Sequence, residues 1–169
     1  MKDTYHMKPI VASVVIISDL HIRRPEDHKA KLLLQLLAAI VPSKVEYLVL
    51  LGDIFDFCLG NSRYFKEKYK TIGQQLSSIA RLGTKVLYVQ GNHEFAIAKL
   101  QWPLVQFVEE KATLITLKNN IKIGFSHGDY FNAPYLYHFY LWIARSRWLQ
   151  HLIRIVPGSL LDSMTLRFA

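Results

Sequence analysis

Four apolar runs, the first rich in β-branched residues, each break off into a short polar island. Val11–Ser18 leads into Asp19-x-His21, and Tyr47–Leu51 into Gly52-Asp53-x-x-Asp56. Lys85–Gln90 leads into Gly91-Asn92-His93-Glu94, and Ile121–Ser126 into His127-Gly128-Asp129. A continuous apolar run suits a strand covered on both faces, which is the condition of strands in layered α/β folds. In open α/β sheets, ligands collect beyond the carboxyl ends of the strands. Four islands far apart in sequence would therefore meet at one rim.

The segments between the runs support this reading. Ala30–Val41 repeats Leu at helical spacing and stops at Pro42. Residues 61–82 read as one polar-faced helix closed by Gly83. Residues 103–111 read as a further helix. Thr113–Leu117 and Ile121–Ser126 flank Asn119-Asn120, which predicts a hairpin. The order β-α-β-α-β-α-β-β predicts an α/β sandwich with a mixed sheet. A chain of 169 residues with 51% apolar and 20% charged residues suits one globular domain with a real core. Its net charge of +8 favours an anionic partner: nucleic acid, an anionic membrane face or a phosphorylated substrate. Cys58 is the single cysteine, so no intrachain disulfide forms and a reducing, cytoplasmic setting is expected. Val11–Ile17 is too short for a signal sequence, and no uninterrupted apolar stretch could span a bilayer.

The islands hold the residue types of a divalent metal site. Strand alternation would point Asp19 and His21 in roughly the same direction. Gly52 lets the backbone turn tightly before Asp53, whose two carboxylate oxygens can bridge two cations. Asn92 offers a neutral oxygen and His127 an imidazole nitrogen. Mixed oxygen and nitrogen donors suit Mn, Fe, Zn or Mg. Two such ions can ionise a water near neutral pH and grip a phosphoryl group. Taken singly each island is ambiguous: Asn92 could cap a helix. Asp56 and Asp129 could orient a ligand from behind or cap a helix.

Together, Ser18-Asp19-Leu20-His21, Gly52-Asp53-Ile54-Phe55-Asp56, Gly91-Asn92-His93-Glu94 and Ser126-His127-Gly128-Asp129 resemble the calcineurin-like metallophosphoesterases. The resemblance covers Ile10 to about Asp129. It implies an αββα sandwich and two divalent metal ions, most readily Mn. Asp19 and His21 would bind the first ion, Asp53 would bridge, and Asn92 and His127 would bind the second. A hydroxide bridged by the two would attack phosphorus, and His93 would be catalytic, assisting the leaving oxygen. Within the family, the first two islands are similar to the UDP-2,3-diacylglucosamine pyrophosphohydrolases of lipid A synthesis. Their substrate is a phosphorylated, lipid-linked nucleotide sugar. Those enzymes carry Gly-Asn-Arg where this chain has Gly91-Asn92-His93, the commoner version across the wider family. A general phosphodiesterase or nucleotide phosphatase is therefore the alternative.

Residues 130–169 form a distinct basic and aromatic segment after a core of residues 1–129. It holds four arginines, Trp142, Trp148, four tyrosines and three phenylalanines. Tyr135, Phe139, Trp142 and Ile143 recur at helical spacing. Residues 137–150 resemble the helical lid insertion of the lipid A enzymes, with Arg145, Arg147 and Trp148 as lid residues facing substrate. Basic and aromatic residues together also suit a helix on an anionic membrane surface, which implies peripheral attachment at the inner membrane. The other reading packs the stripe on the sheet. Nucleic acid is disfavoured because no strand carries an RNA-binding aromatic pattern. The family pattern closes with a Gly-His-x-His triplet that does not occur here. The expectation is therefore an N-terminal two-thirds of such an enzyme, with a metal site and sheet incomplete at the C-terminal side. An inactive fragment that binds metal or membrane is the remaining alternative.

Overall fold

The computed structural model describes residues 7–109, 112–128, 134–144, 146 and 156–165. In chain order its elements are β1 (Val14–Ile17), α1 (His28–Ala39), β2 (Tyr47–Leu51), β3 (Cys58–Leu59), α2 (Arg63–Lys68), α3 (Lys70–Arg81), β4 (Lys85–Val89) and β5 (Glu94–Phe95). They continue with a 3-10 helix (Ile97–Leu100), β6 (Val105–Val108), β7 (Thr113–Thr116), β8 (Lys122–Phe125), α4 (Tyr135–Ala144) and α5 (Gly158–Thr165).

β1, β2, β4 and β6 form one parallel sheet in the order β1-β2-β4-β6, while the fourth apolar run, Ile121–Ser126, lies outside it as β8 of the β7–β8 pair. Its register pairs Val14 with Tyr47, Tyr47 with Lys85, and Val86 with Val105. Alternate side chains leave opposite faces of a strand. Leu48, Leu50, Val86, Tyr88 and Val105 pack with Leu33, Leu37, Ile72, Leu76 and Ile79 of α1 and α3. Tyr47, Val49, Leu87, Val89 and Val108 pack with Ile115, Leu117 and Phe125, at the β7–β8 hairpin. Both faces of the central strands are covered, so their sequences stay apolar without alternating. Each fully buried Leu or Val of this kind contributes about 2 kcal/mol. The α/β class is as expected, with the parallel and antiparallel pairings in separate ladders.

The hairpin forms as its sequence predicts. Asn120 takes a left-handed φ of 64°, and the Asn119 carboxamide accepts from the Ile121 N–H. α3 likewise ends before Gly83, at φ 109°. Two expectations fail. The sequence of residues 103–111 suggests a helix, but Val105–Val108 is a strand paired with β4. Val105 and Phe107 join the helix-side core and Val108 the opposite one, so a period of two governs. Residues 61–82 are also not one helix. The path breaks at Tyr69, with φ −106° and ψ 13°. Its buried ring stacks on Phe55 at 3.7 Å, and its hydroxyl donates to the Ile22 carbonyl at 3.3 Å. A core contact outweighs local helical continuity there.

In the C-terminal segment, Tyr135, Leu136, Phe139 and Trp142 of α4 are exposed rather than packed on the sheet. α5 rests on α2 through Asp162, which accepts from Lys68 Nζ at 2.6 Å and from the Tyr64 hydroxyl at 2.8 Å. Among the described residues, no helix is long and apolar enough to cross a membrane. Asp129, Arg145, Arg147 and Trp148 lie outside the described residues.

Candidate metal centre

The islands after β1, β2, β4 and β8 converge. The first two are laced together by backbone: Asp19 N–H donates to the Gly52 carbonyl at 3.2 Å, His21 to Asp53 at 3.0 Å, and Ile22 to Ile54 at 2.9 Å. Asp19, His21 and Asp53 all sit at left-handed φ, 54°, 50° and 50°. This differs from the extended alternation expected for Asp19 and His21. The two side chains reach the site because the chain coils left-handed beyond the strand. Each non-glycine residue held there costs on the order of 1 kcal/mol.

Two glycines allow the loops to close. A Cβ on Gly91 would collide with the Asp53 side chain and backbone nitrogen. A Cβ on Gly52 would strike the His127 ring and lie 2.9 Å from Gly91 Cα. Close approach, more than turn geometry, is what Gly91 supplies.

The donor atoms fall into two groups, His21–Asp53–His93 and Asp19–Asp53–His127, each with its atoms within 4.8 Å of one another. Asp53 belongs to both. Its Oδ2 lies 3.3 Å from His127 Nε2, 3.9 Å from His21 Nε2 and 4.0 Å from His93 Nε2. Its Oδ1 accepts from the His93 backbone N–H at 3.0 Å. Asn92 Oδ1 is 3.1 Å from His127 Nε2. Burial alone would raise the Asp53 carboxyl. The His127 side chain, the His93 N–H and the charges of both imidazoles outweigh it and hold the group below its ordinary 3.8.

The imidazole tautomers follow from the outer partners. His127 Nδ1 lies 2.9 Å from the Leu51 carbonyl, and His93 Nδ1 lies 2.8 Å from the Asp56 carbonyl. A carbonyl only accepts, so each Nδ1 carries a proton, and each ring presents its Nε2 edge toward Asp53. Imidazole nitrogens, a carboxamide oxygen and a buried carboxylate aimed at one space fit a divalent cation. The donor set passes that test with oxygen and nitrogen alone.

The structure brings together Asp19, His21, Asp53, Asn92, His93 and His127. Asp56 stands just behind them, with Oδ1 3.8 Å from His21 Nδ1. It caps no helix, since α2 begins only at Arg63. Asn92 caps none either, because the short strand β5 follows it. Sequence reasoning gave no role to Glu94 or Arg23. Glu94 is fully buried and accepts from Ile54 N–H at 3.0 Å, Phe55 N–H at 3.2 Å, the Tyr88 hydroxyl at 2.6 Å and Gly91 N–H at 3.0 Å. It ties the loop carrying Asp53 to the loop carrying Asn92. Its signal was a carboxylate directly after the Gly-Asn-His triplet. Arg23 donates through Nε to Asp56 Oδ2 at 3.1 Å, and its signal was a cation two residues past His21.

Comparison with known proteins agrees with this geometry. The chain is 28% identical over 113 residues to the UDP-2,3-diacylglucosamine hydrolase of Ralstonia nicotianae, covering 65% of this chain and 41% of that one. It is 31% identical over 83 residues to the enzyme of that name from Pasteurella multocida, covering 49% and 34%. Against the one from Histophilus somni it is 27% identical over 144 residues, covering 83% and 60%. The match thus spans between a third and six-tenths of these curated relatives' length. The sequence profile of calcineurin-like phosphoesterases matches residues 12–159, and with the strand-end site in place the chain belongs to that family.

Proposed function

We propose that this chain carries the metal-holding part of a metal-dependent phosphoester or pyrophosphate hydrolase. The observation that carries the reading is Asp53, one buried carboxylate shared by two donor groups. Two divalent ions, Mn in the first instance, would supply an ionised water and a clamp on the phosphoryl oxygens when bound. Asp19, His21, Asn92 and His127 would hold them around Asp53.

The remaining work falls to the chain's own groups. His93, with its Nδ1 proton committed to the Asp56 carbonyl, would hold at Nε2 the proton delivered to the leaving oxygen. The T-shaped contact of the His21 and His93 rings, 4.9 Å between centroids, fixes that edge toward Asp53. Glu94 keeps the two loops in register. The names borne by the relatives support a UDP-2,3-diacylglucosamine-type substrate, a phosphorylated and lipid-linked nucleotide sugar. The exposed aromatics of α4 and the +8 charge support a basic lid that meets such a substrate at an anionic, cytoplasmic membrane face. His93 in place of arginine favours a second reading, cleavage of simpler phosphodiesters.

The test is hydrolysis of UDP-2,3-diacylglucosamine by this protein with Mn. Release of UMP is expected, together with its loss in Asp53→Asn. Cleavage of other diesters without UMP release would move the assignment to the second reading. Full turnover by Asp53→Asn would remove the shared carboxylate from the mechanism.

A further inference from the structure

We propose that Arg23 is a positioning residue that acts through Asp56 on two histidines at once, an inference that rests on reading the site as a metal centre. Asp56 faces three ways. Its Oδ2 accepts from Arg23 Nε at 3.1 Å. Its Oδ1 faces His21 Nδ1 at 3.8 Å. Its backbone carbonyl holds His93 Nδ1 at 2.8 Å. The Asp56 backbone is itself fixed, with its N–H donating to the Ile22 carbonyl at 3.1 Å. One residue therefore stands behind both imidazoles of the His21–Asp53–His93 group.

His21 is the histidine whose orientation is least secured. Its Nδ1 is buried and makes no hydrogen bond among the described residues. The distance to Asp56 Oδ1 is too long for one, so Asp56 acts on it as a nearby negative charge. Asp56 Oδ1 on the Nδ1 side and Asp53 Oδ2 on the Nε2 side, at 3.8 and 3.9 Å, hold the ring between two carboxylates, so the place of Asp56 sets how the Nε2 edge turns toward Asp53. The Asp56 side chain is 14% exposed and would turn toward water if nothing held it. Arg23 holds it. Arg23 is in turn steadied at its own backbone, where Asp27 Oδ2 accepts from the N–H groups of Arg23 and Arg24 at 3.1 and 2.9 Å.

The guanidinium geometry matters. Nε is a donor part-way along the side chain with a fixed direction, and a lysine ammonium at the end of a flexible stem does not reproduce it. Arg23→Gln and Arg23→Lys are therefore both informative. The nitrogen-15 spectrum of the imidazoles in the full chain with EDTA reads the tautomers without any metal. The expected result in the wild type is an Nδ1–H form for His93, whose Nδ1 meets the Asp56 carbonyl, and one well-defined set of ring signals for His21. In Arg23→Gln the His21 signals should move, those of His93 should move less, and Arg23→Lys should restore them only in part. Mn affinity by calorimetry should fall 10- to 100-fold in Arg23→Gln, and no further in Arg23→Gln with Asp56→Asn. Circular dichroism and the melting temperature check that the variants fold. Unchanged His21 and His93 signals in a folded Arg23→Gln chain would overturn the proposal. Altered signals in a chain whose wild type binds no metal would instead leave Arg23's role intact and sink the metal reading.

Discussion

Glu94 gives the sharpest test of how the site is held together. Its carboxylate is fully buried with four donors around it, two from the loop after β2 and two from β4 and the turn beyond. Burial raises its pKa from 4.5 to about 7, against hydrogen bonds from Tyr88, Gly91 and Phe55 that pull the other way. A raised acid pKa means that the folded chain binds the proton more tightly than the unfolded one. Stability is therefore greatest below about pH 4.5, declines as pH rises to about 7 and is level above. At ~1.4 kcal/mol per tenfold change in proton affinity, the decline amounts to roughly 3 kcal/mol. Asp53 has the opposite sign, since its depressed pKa adds stability that is lost only as pH falls below 3.8, outside that window. Glu94→Gln keeps the shape and cannot titrate. It also turns an amide N–H₂ toward a backbone or hydroxyl donor, a cost of about 1–3 kcal/mol at pH 5. Urea unfolding in EDTA at pH 5 and pH 8 is the assay. The wild type should lose about 2.5 kcal/mol more than Glu94→Gln between the two. Equal pH dependence in both proteins would refute the claim that this carboxyl is the buried titrating group.

Other expectations follow from the same contacts. Gly91→Ala should cost about 2 kcal/mol or more and abolish metal binding, because its Cβ occupies the place of the Asp53 side chain; melting and calorimetry read both. Mn at a hundredfold excess over its dissociation constant should stabilise the wild type by about 2.7 kcal/mol and leave Asp53→Asn unmoved in the same melting experiment. Asp162→Asn removes the charge opposite the largely buried Lys68 and should destabilise by about 1–2 kcal/mol. Its effect should appear as faster hydrogen exchange in α5 with the metal site unaltered.

The parts of this fold legible in the sequence are those where local and global demands agree. Tyr47–Leu51 is apolar at every position because both sheet faces are covered, and its boundaries follow directly. The convergence of the first three islands follows from a parallel sheet having all its carboxyl ends on one side, and the fourth arrives from the β7–β8 hairpin packed on that sheet. Residues 103–111 mislead because the four residues Val105–Val108 fit either period, and only pairing with β4 selects the strand. The break at Tyr69 depends on Phe55, fourteen residues earlier in the chain, and no local pattern records it. The role of Glu94 is hidden for a related reason. A carboxylate in sequence looks like a surface residue until four donors from separate segments are seen around it.

The left-handed backbone at Asp19, His21 and Asp53 has a consequence for how such a chain tolerates change. Glycine would sit at each position with less strain, so Asp19→Gly or His21→Gly relieves on the order of 1 kcal/mol of local cost while deleting a donor. At these positions, folding and chemistry therefore pull in opposite directions. A library screened only for thermal stability would drift toward glycine and lose its ion-binding members first. One screened for ion binding would keep aspartate and histidine in the less comfortable backbone. The strand ends thus act as a marker that separates selection for a working site from selection for a durable scaffold.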